Sequence, residues 1–199
     1  MEHIRKIVRE IISEEFSREE SDTLFKRKFD GYEFIKWTRN GALYRKEPGV
    51  VVKVTRDRSE YDNALRFLKR PHRGFVKYYS AKPWVRINGN DYFILEMEEL
   101  KELDEAEWEL VDLIQNSLGS QSYMLDDNKR YRFLNELKMY PEWYEDYGTY
   151  KDAARLVMDL YGMYKEADRR GFTLYDLRAI NLGRTSDGRL VHFDIGDEY

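Results

Sequence analysis

Apolar residues recur at helical spacing at the start of the chain, at Ile4, Ile7, Val8, Ile11, Ile12 and Phe16, with charges between them. This spacing predicts an amphipathic N-terminal helix, and Ser17 with Glu20 is spaced to cap a second one. An appended apolar stripe must be buried somewhere, so the helix either packs on the body of the protein or docks a partner or a second copy. From Tyr32 the period changes. Tyr32, Phe34 and Ile35 lead to turn residues at Thr38 to Gly41. Ala42 to Arg45 follow, then a turn at Pro48 and Gly49 and the run Val50 to Val54. Three antiparallel strands are predicted.

Glu60, Ala64, Leu65 and Leu68 then mark a helix closed near Pro71. Extended chain is expected over His72 to Tyr79 and Trp84 to Ile87, with a tight turn at Asn88, Gly89 and Asn90 into Tyr92 to Met97. The order so far is β, β, β, α, β, β. The rest reads as helical. Trp108, Val111, Leu113, Ile114 and Leu118 mark one helix, and Tyr131, Phe133, Leu134 and Leu137 a second. A long third helix over Asp152 to Arg170 is stopped by Gly171. Between the last two lies an aromatic cluster of Tyr140, Trp143, Tyr144, Tyr147 and Tyr150. Stacking on nucleic acid is one use for such rings. Glu142, Glu145 and Asp146 interleave them with the wrong charge, which favours core packing.

Composition narrows the class. The 199 residues are 42% hydrophobic, enough to bury a sizeable core as one domain or one compact two-lobed unit. A net charge of -4 disfavours a partner that is a phosphate backbone. No cysteine is present, which excludes disulfides and thiolate metal sites. No apolar run approaches a membrane span and the charged start does not resemble a secretory signal, so the expectation is a cytoplasmic protein with neither membrane nor nucleic acid as partner.

The richest chemistry lies near the C-terminus. Asp176 and Asn181 stand five apart in DLRAIN, and Asp194 follows thirteen residues after Asn181, opening Asp194, Ile195, Gly196. Between them, Asn181 to Arg184 and Leu190 to Phe193 read as two short strands joined by Thr185, Ser186, Asp187 and Gly188. Antiparallel pairing is expected to set Asn181 beside Asp194, an amide oxygen and a carboxylate that suit a shared hard cation such as magnesium. Asp176 would face the same point as a base. Upstream, Lys53 ends a triple-valine run, and a half-buried ammonium there needs a partner, which Glu60 offers. Each of these side chains also has a bland use, as a surface ion pair or a turn residue. His192, His72 and His3 are scattered and suggest no metal site.

DLRAIN and DIG resemble the catalytic loop and DFG region of the protein-kinase superfamily. Lys53 matches that family's strand-three lysine, Glu60 its helix-C partner, and Leu95 to Glu98 its hinge, while HRGFVKYYSA resembles the stretch before the hinge strand. The resemblance covers roughly Tyr32 to Gly196 and is weakest between about Lys101 and Gly148. It implies an α+β, two-lobed kinase-like fold, with a five-stranded antiparallel N-lobe sheet carrying one helix. A reduced, mainly helical C-lobe would hold the catalytic hairpin. The divisions are residues 1–30 as a helical extension, 31–98 as N-lobe and 99–199 as a C-lobe that stops just after the DFG-like motif.

The resemblance also implies ATP and magnesium as cofactors. Lys53, held by Glu60, would sit on the phosphates, and Asn181 and Asp194 would hold magnesium. Asp176 would orient the attacking hydroxyl, and Arg178 would contact the transferred phosphate. The adenine would lie against Val52 and Leu95 and bond hinge backbone over Glu96, Met97 and Glu98, with Gly41 beneath the phosphates. Several departures stand out: Ile195 replaces Phe, Leu174 and Tyr175 replace the His and Arg before the catalytic Asp, and Gly41 stands where kinases place three glycines. With only three residues after Gly196, the activation segment has no sequence to form it, and a substrate platform must come from elsewhere. The leading expectation is a minimal phosphotransferase acting on a hydroxyl, with a Ser or Thr of a protein as acceptor. The alternatives are a pseudokinase or nucleotide-dependent binding module, an AMP-transferring enzyme on the same fold, and a small-molecule kinase.

Overall fold

The computed structural model describes residues 22–118, 124–171 and 179–193. The chain is α+β. Strands β1 (Glu33–Thr38), β2 (Gly41–Glu47), β3 (Val50–Thr55), β4 (Tyr78–Ile87) and β5 (Asn90–Glu98) form an antiparallel sheet in the order β1-β2-β3-β5-β4. Helix α1 (Arg58–Lys69) connects β3 to β4. Helices α2 (Glu105–Leu118), α3 (Asp127–Met139) and α4 (Tyr150–Arg169) follow, and then a hairpin of β6 (Leu182–Arg184) and β7 (Leu190–His192). The expected N-terminal helix at residues 4–16 and its cap at Ser17 lie outside the described residues. No helix among the described residues is long and apolar enough to cross a membrane.

Local chemistry accounts for the turns and ends. Asn88 and Gly89 both take positive φ, 49° and 82°, as the two-residue connection between β4 and β5 requires. Pro83 lacks an amide hydrogen and sits in β4 at the sheet edge, where the pairing with β5 slips between Pro83 and Val85. Asp57 caps α1 by accepting from the Ser59 and Glu60 amides, and Thr149 and Asp152 form a capping box at the start of α4.

Both faces of the sheet are covered, which is why central strand β3 is apolar on both sides. On the outer face, Val52, Val54, Tyr44, Tyr92 and Ile94 pack under Phe25, from helical residues 22–28, and Phe29 in the turn after them. Phe25 and Phe29 thus contribute core side chains from before residue 31. On the inner face, Val51, Phe93, Leu95 and Met97 join Tyr61 and Phe67 of α1 and run on without a break into α2 and α4. Ala153, Leu156, Val157, Leu160, Met163, Tyr164 and Ala167 recur along α4 at helical spacing and are all buried. The aromatic cluster packs: Tyr140 stacks on Trp143, and Trp143, Tyr144, Tyr147 and Tyr150 lie against this core.

The hairpin is inserted between two connecting segments. The His192 amide donates to the Gly74 carbonyl and the Val76 amide to the His192 carbonyl, each at 3.0 Å, so the chain between α1 and β4 runs parallel to β7. On its other side Arg184 and Lys101 exchange backbone hydrogen bonds at 2.8 and 2.9 Å. Gly183 makes this approach possible, because a Cβ there would lie 2.9 Å from Leu100 Cβ. His192 is buried with its ring edge-on to Phe75.

Candidate functional site

Alternation along β3 places Val51, Lys53 and Thr55 on the inner face, with Lys53 paired in register to Leu43 of β2 and Leu95 of β5. Across from it, Glu60 is the third residue of α1, held in the first turn by the Asp57 cap and by Tyr61, which stacks on Phe93 at 4.3 Å. Lys53 Nζ and Glu60 Oε1 meet at 2.5 Å, with the side chains only 12% and 2% exposed. The partial positive charge of a helix N-terminus also favours a carboxylate at this position. The pair expected from the sequence thus exists, and it is buried.

Asn181 closes a 3-10 turn (Ala179–Asn181), and its carbonyl accepts from the Phe193 amide at 3.0 Å. The register therefore sets Asn181 opposite Phe193, one residue short of Asp194. Asp176, Arg178 and Asp194 themselves lie outside the described residues. Among the described residues no three His, Asp or Glu side chains gather to hold a metal ion.

The residues expected around adenine divide. Leu95 and Met97 share the inner face with Lys53 and are buried. Val52 does not: it points to the outer face and packs with Val54 and Ile94 beneath residues 22–28. Val51, two positions before Lys53, and Leu43, its cross-strand partner on β2, share the inner face with it. Counting by two from Lys53 finds Val51, whereas Leu43 is set only by the register of β2 against β3. Glu96, paired with Val52, binds Lys46 at 2.7 Å. Leu95 to Glu98 are strand, not hinge, flanked by β3 on one side and by β4 and Lys77 on the other. The Glu98 amide donates to the Lys77 carbonyl at 2.9 Å, while its carboxylate accepts from the Lys77 amide. The connection from sheet to helices starts at Glu99, whose amide donates to the Gly49 carbonyl. Arg45 bonds the Glu99 carboxylate and holds it below the usual carboxylate range. Gly41 has a structural reason of its own, since a Cβ there would overlap the Val54 carbonyl oxygen.

Neither the protein-family models nor the curated proteins contain a match to this chain. The site therefore has to be read from its own chemistry. That chemistry is a buried ammonium–carboxylate pair on the inner face of the sheet, and a separate hairpin carrying Asn181, fixed to the same sheet through residues 74–76 and 101.

Proposed function

We propose that the chain is a minimal protein-kinase-like phosphotransferase that uses ATP and magnesium to phosphorylate a hydroxyl, with Ser or Thr on a protein as the acceptor. The observation that carries this reading is the Lys53–Glu60 pair. A buried ion pair is a poor source of stability, because desolvating both charges consumes most of the Coulomb gain, whereas a well-packed apolar pair has no such cost. Its chemical use is clear: Glu60 holds a cation in place inside a low-dielectric site, where it stabilises phosphate charge strongly. In this reading the hairpin supplies Asn181 and, one residue past its observed register, Asp194 as magnesium ligands. Asp176 takes the proton as the acceptor oxygen attacks the γ-phosphorus and the bond to ADP breaks. Arg178 binds the transferred phosphate, and Val51, Leu43, Leu95 and Met97 line the base.

A second reading, a nucleotide-dependent binding module without transfer, draws on two observations: Gly41 is required by strand packing, and the Glu98 amide is already bonded within the sheet. The two are separated by incubating the protein with γ-labelled ATP, magnesium and a protein mixture, beside Lys53→Met and Asp176→Ala. The phosphotransferase reading expects labelled protein from the wild type alone. A melting-temperature rise with ATP and magnesium but no label selects the binding module, and neither label nor shift sinks both readings.

A further inference from the structure

The geometry points to a second, separate site, for a phosphate monoester, in the cavity between the α1–β4 connection, α4 and the tip of the β6–β7 hairpin. This cavity has a volume of about 570 Å³, within the range of small-molecule sites, and neither Lys53, Glu60 nor Asn181 lines it. Four arginines are among the residues that line it: Arg73, Arg155, Arg184 and Arg189. Two of these are already matched. Arg184 bonds Glu107 at 2.7 Å and Tyr147 Oη at 3.1 Å, and Arg189 bonds Asp187 at 3.0 Å and the Arg73 carbonyl at 3.1 Å. Among the described residues Arg73 and Arg155 form no ion pair, and Asp159, one turn after Arg155 on α4, lines the same cavity.

Two spare guanidinium groups against one carboxylate leave a net positive charge in a concave site. Burial pushes the Asp159 carboxyl up, while Arg184, Arg73 and Arg155 pull it down. Planar guanidinium forks suit tetrahedral oxyanions, which accept several charge-assisted hydrogen bonds at once. Met158, Met163 and Leu190 give the same cavity an apolar wall, so a phosphate carrying an apolar body fits better than a bare ion.

Titration of the full-length protein with phenyl phosphate, inorganic phosphate and a phosphoserine peptide, followed by calorimetry at low salt, tests this. Phenyl phosphate or the peptide should bind at least about ten-fold more tightly than inorganic phosphate, and the tighter of the two identifies the source as small molecule or modified protein. The double substitution Arg73→Ala with Arg155→Ala should weaken binding about ten-fold or more, and Asp159→Asn should tighten it several-fold. Lys53→Met should leave it unchanged, which separates this site from the proposed nucleotide site. No saturable binding below about 10 mM, undiminished binding in the double variant, or loss in Lys53→Met would overturn the proposal.

Discussion

At the scale of single residues, Gly41 is the sharpest case. A methyl group placed there meets the backbone of Val54, which cannot move without disturbing the centre of the sheet. Gly41→Ala should therefore lower stability by on the order of 1–3 kcal/mol in urea unfolding. A glycine serving nucleotide binding alone would leave the unfolding midpoint where it was. Val51 and Val52 make a second comparison. Both are buried, at 5% and 3% exposure, so truncating either to Ala should cost roughly 1–3 kcal/mol. Only Val51→Ala should also change nucleotide affinity, measured as the ATP-induced shift in melting temperature, because only Val51 faces Lys53. The run VVVKVT announces a buried strand clearly. It conceals which valines share the lysine's face, because with both sides apolar the alternation that usually marks a face disappears, and only counting from Lys53 restores it.

At the scale of elements, the boundaries visible in the sequence are those with a chemical marker. Pro48 and Gly49, Asn88 and Gly89, and Gly171 mark turns or ends that the structure contains. The end of β5 carries no such marker. Glu96 and Glu98 look like the polar start of a connection, yet Lys46 and the Lys77 amide donate to their carboxylates and the strand runs on. Helix α1 shows the converse, a short local signal with a remote consequence. Asp57 fixes the first turn, and the first turn aims Glu60 at Lys53. Asp57→Ala should cost about 1 kcal/mol through loss of the cap. It should also lower ATP affinity without touching any proposed ligand of ATP, whereas Asp62→Ala, removing an exposed carboxylate of the same helix, should do neither. Equal effects of the two substitutions, measured by thermal unfolding with and without ATP, would remove the cap from the account.

At the scale of the whole molecule, the parts are joined by contacts between residues far apart in the chain, and these are what the sequence does not show. Arg170, at the end of α4, donates to the Arg70 carbonyl, 100 residues away, and lies over the Phe67 ring. Glu166 accepts from both Arg169 and Arg170, with His72 at 3.8 Å. No spacing rule links positions 70 and 170, so a helix end that reads as a plain charge run turns out to tie α4 to the end of α1. Acid should test this junction. Arg169, with Arg170 and His72, holds the Glu166 carboxyl down from 4.5 to about 2. A carboxyl lowered on folding stabilises fully above its unfolded value and loses that contribution as pH falls toward the folded one. Burial also lowers His72, so the folded state resists protonating it and loses stability as pH drops below about 6.5. Stability in urea should thus decline below about pH 6.5 and more steeply from 4.5 toward 2. Glu166→Gln should be less stable than wild type at neutral pH by on the order of 2 kcal/mol, a figure reduced for the solvent around the exposed Arg169 head. That difference should shrink between pH 4.5 and 2, where the wild-type carboxylate is itself neutralised. A gap that stayed constant across this range would mean that Glu166 acts by shape, and the junction would then be one of packing with no electrostatic part.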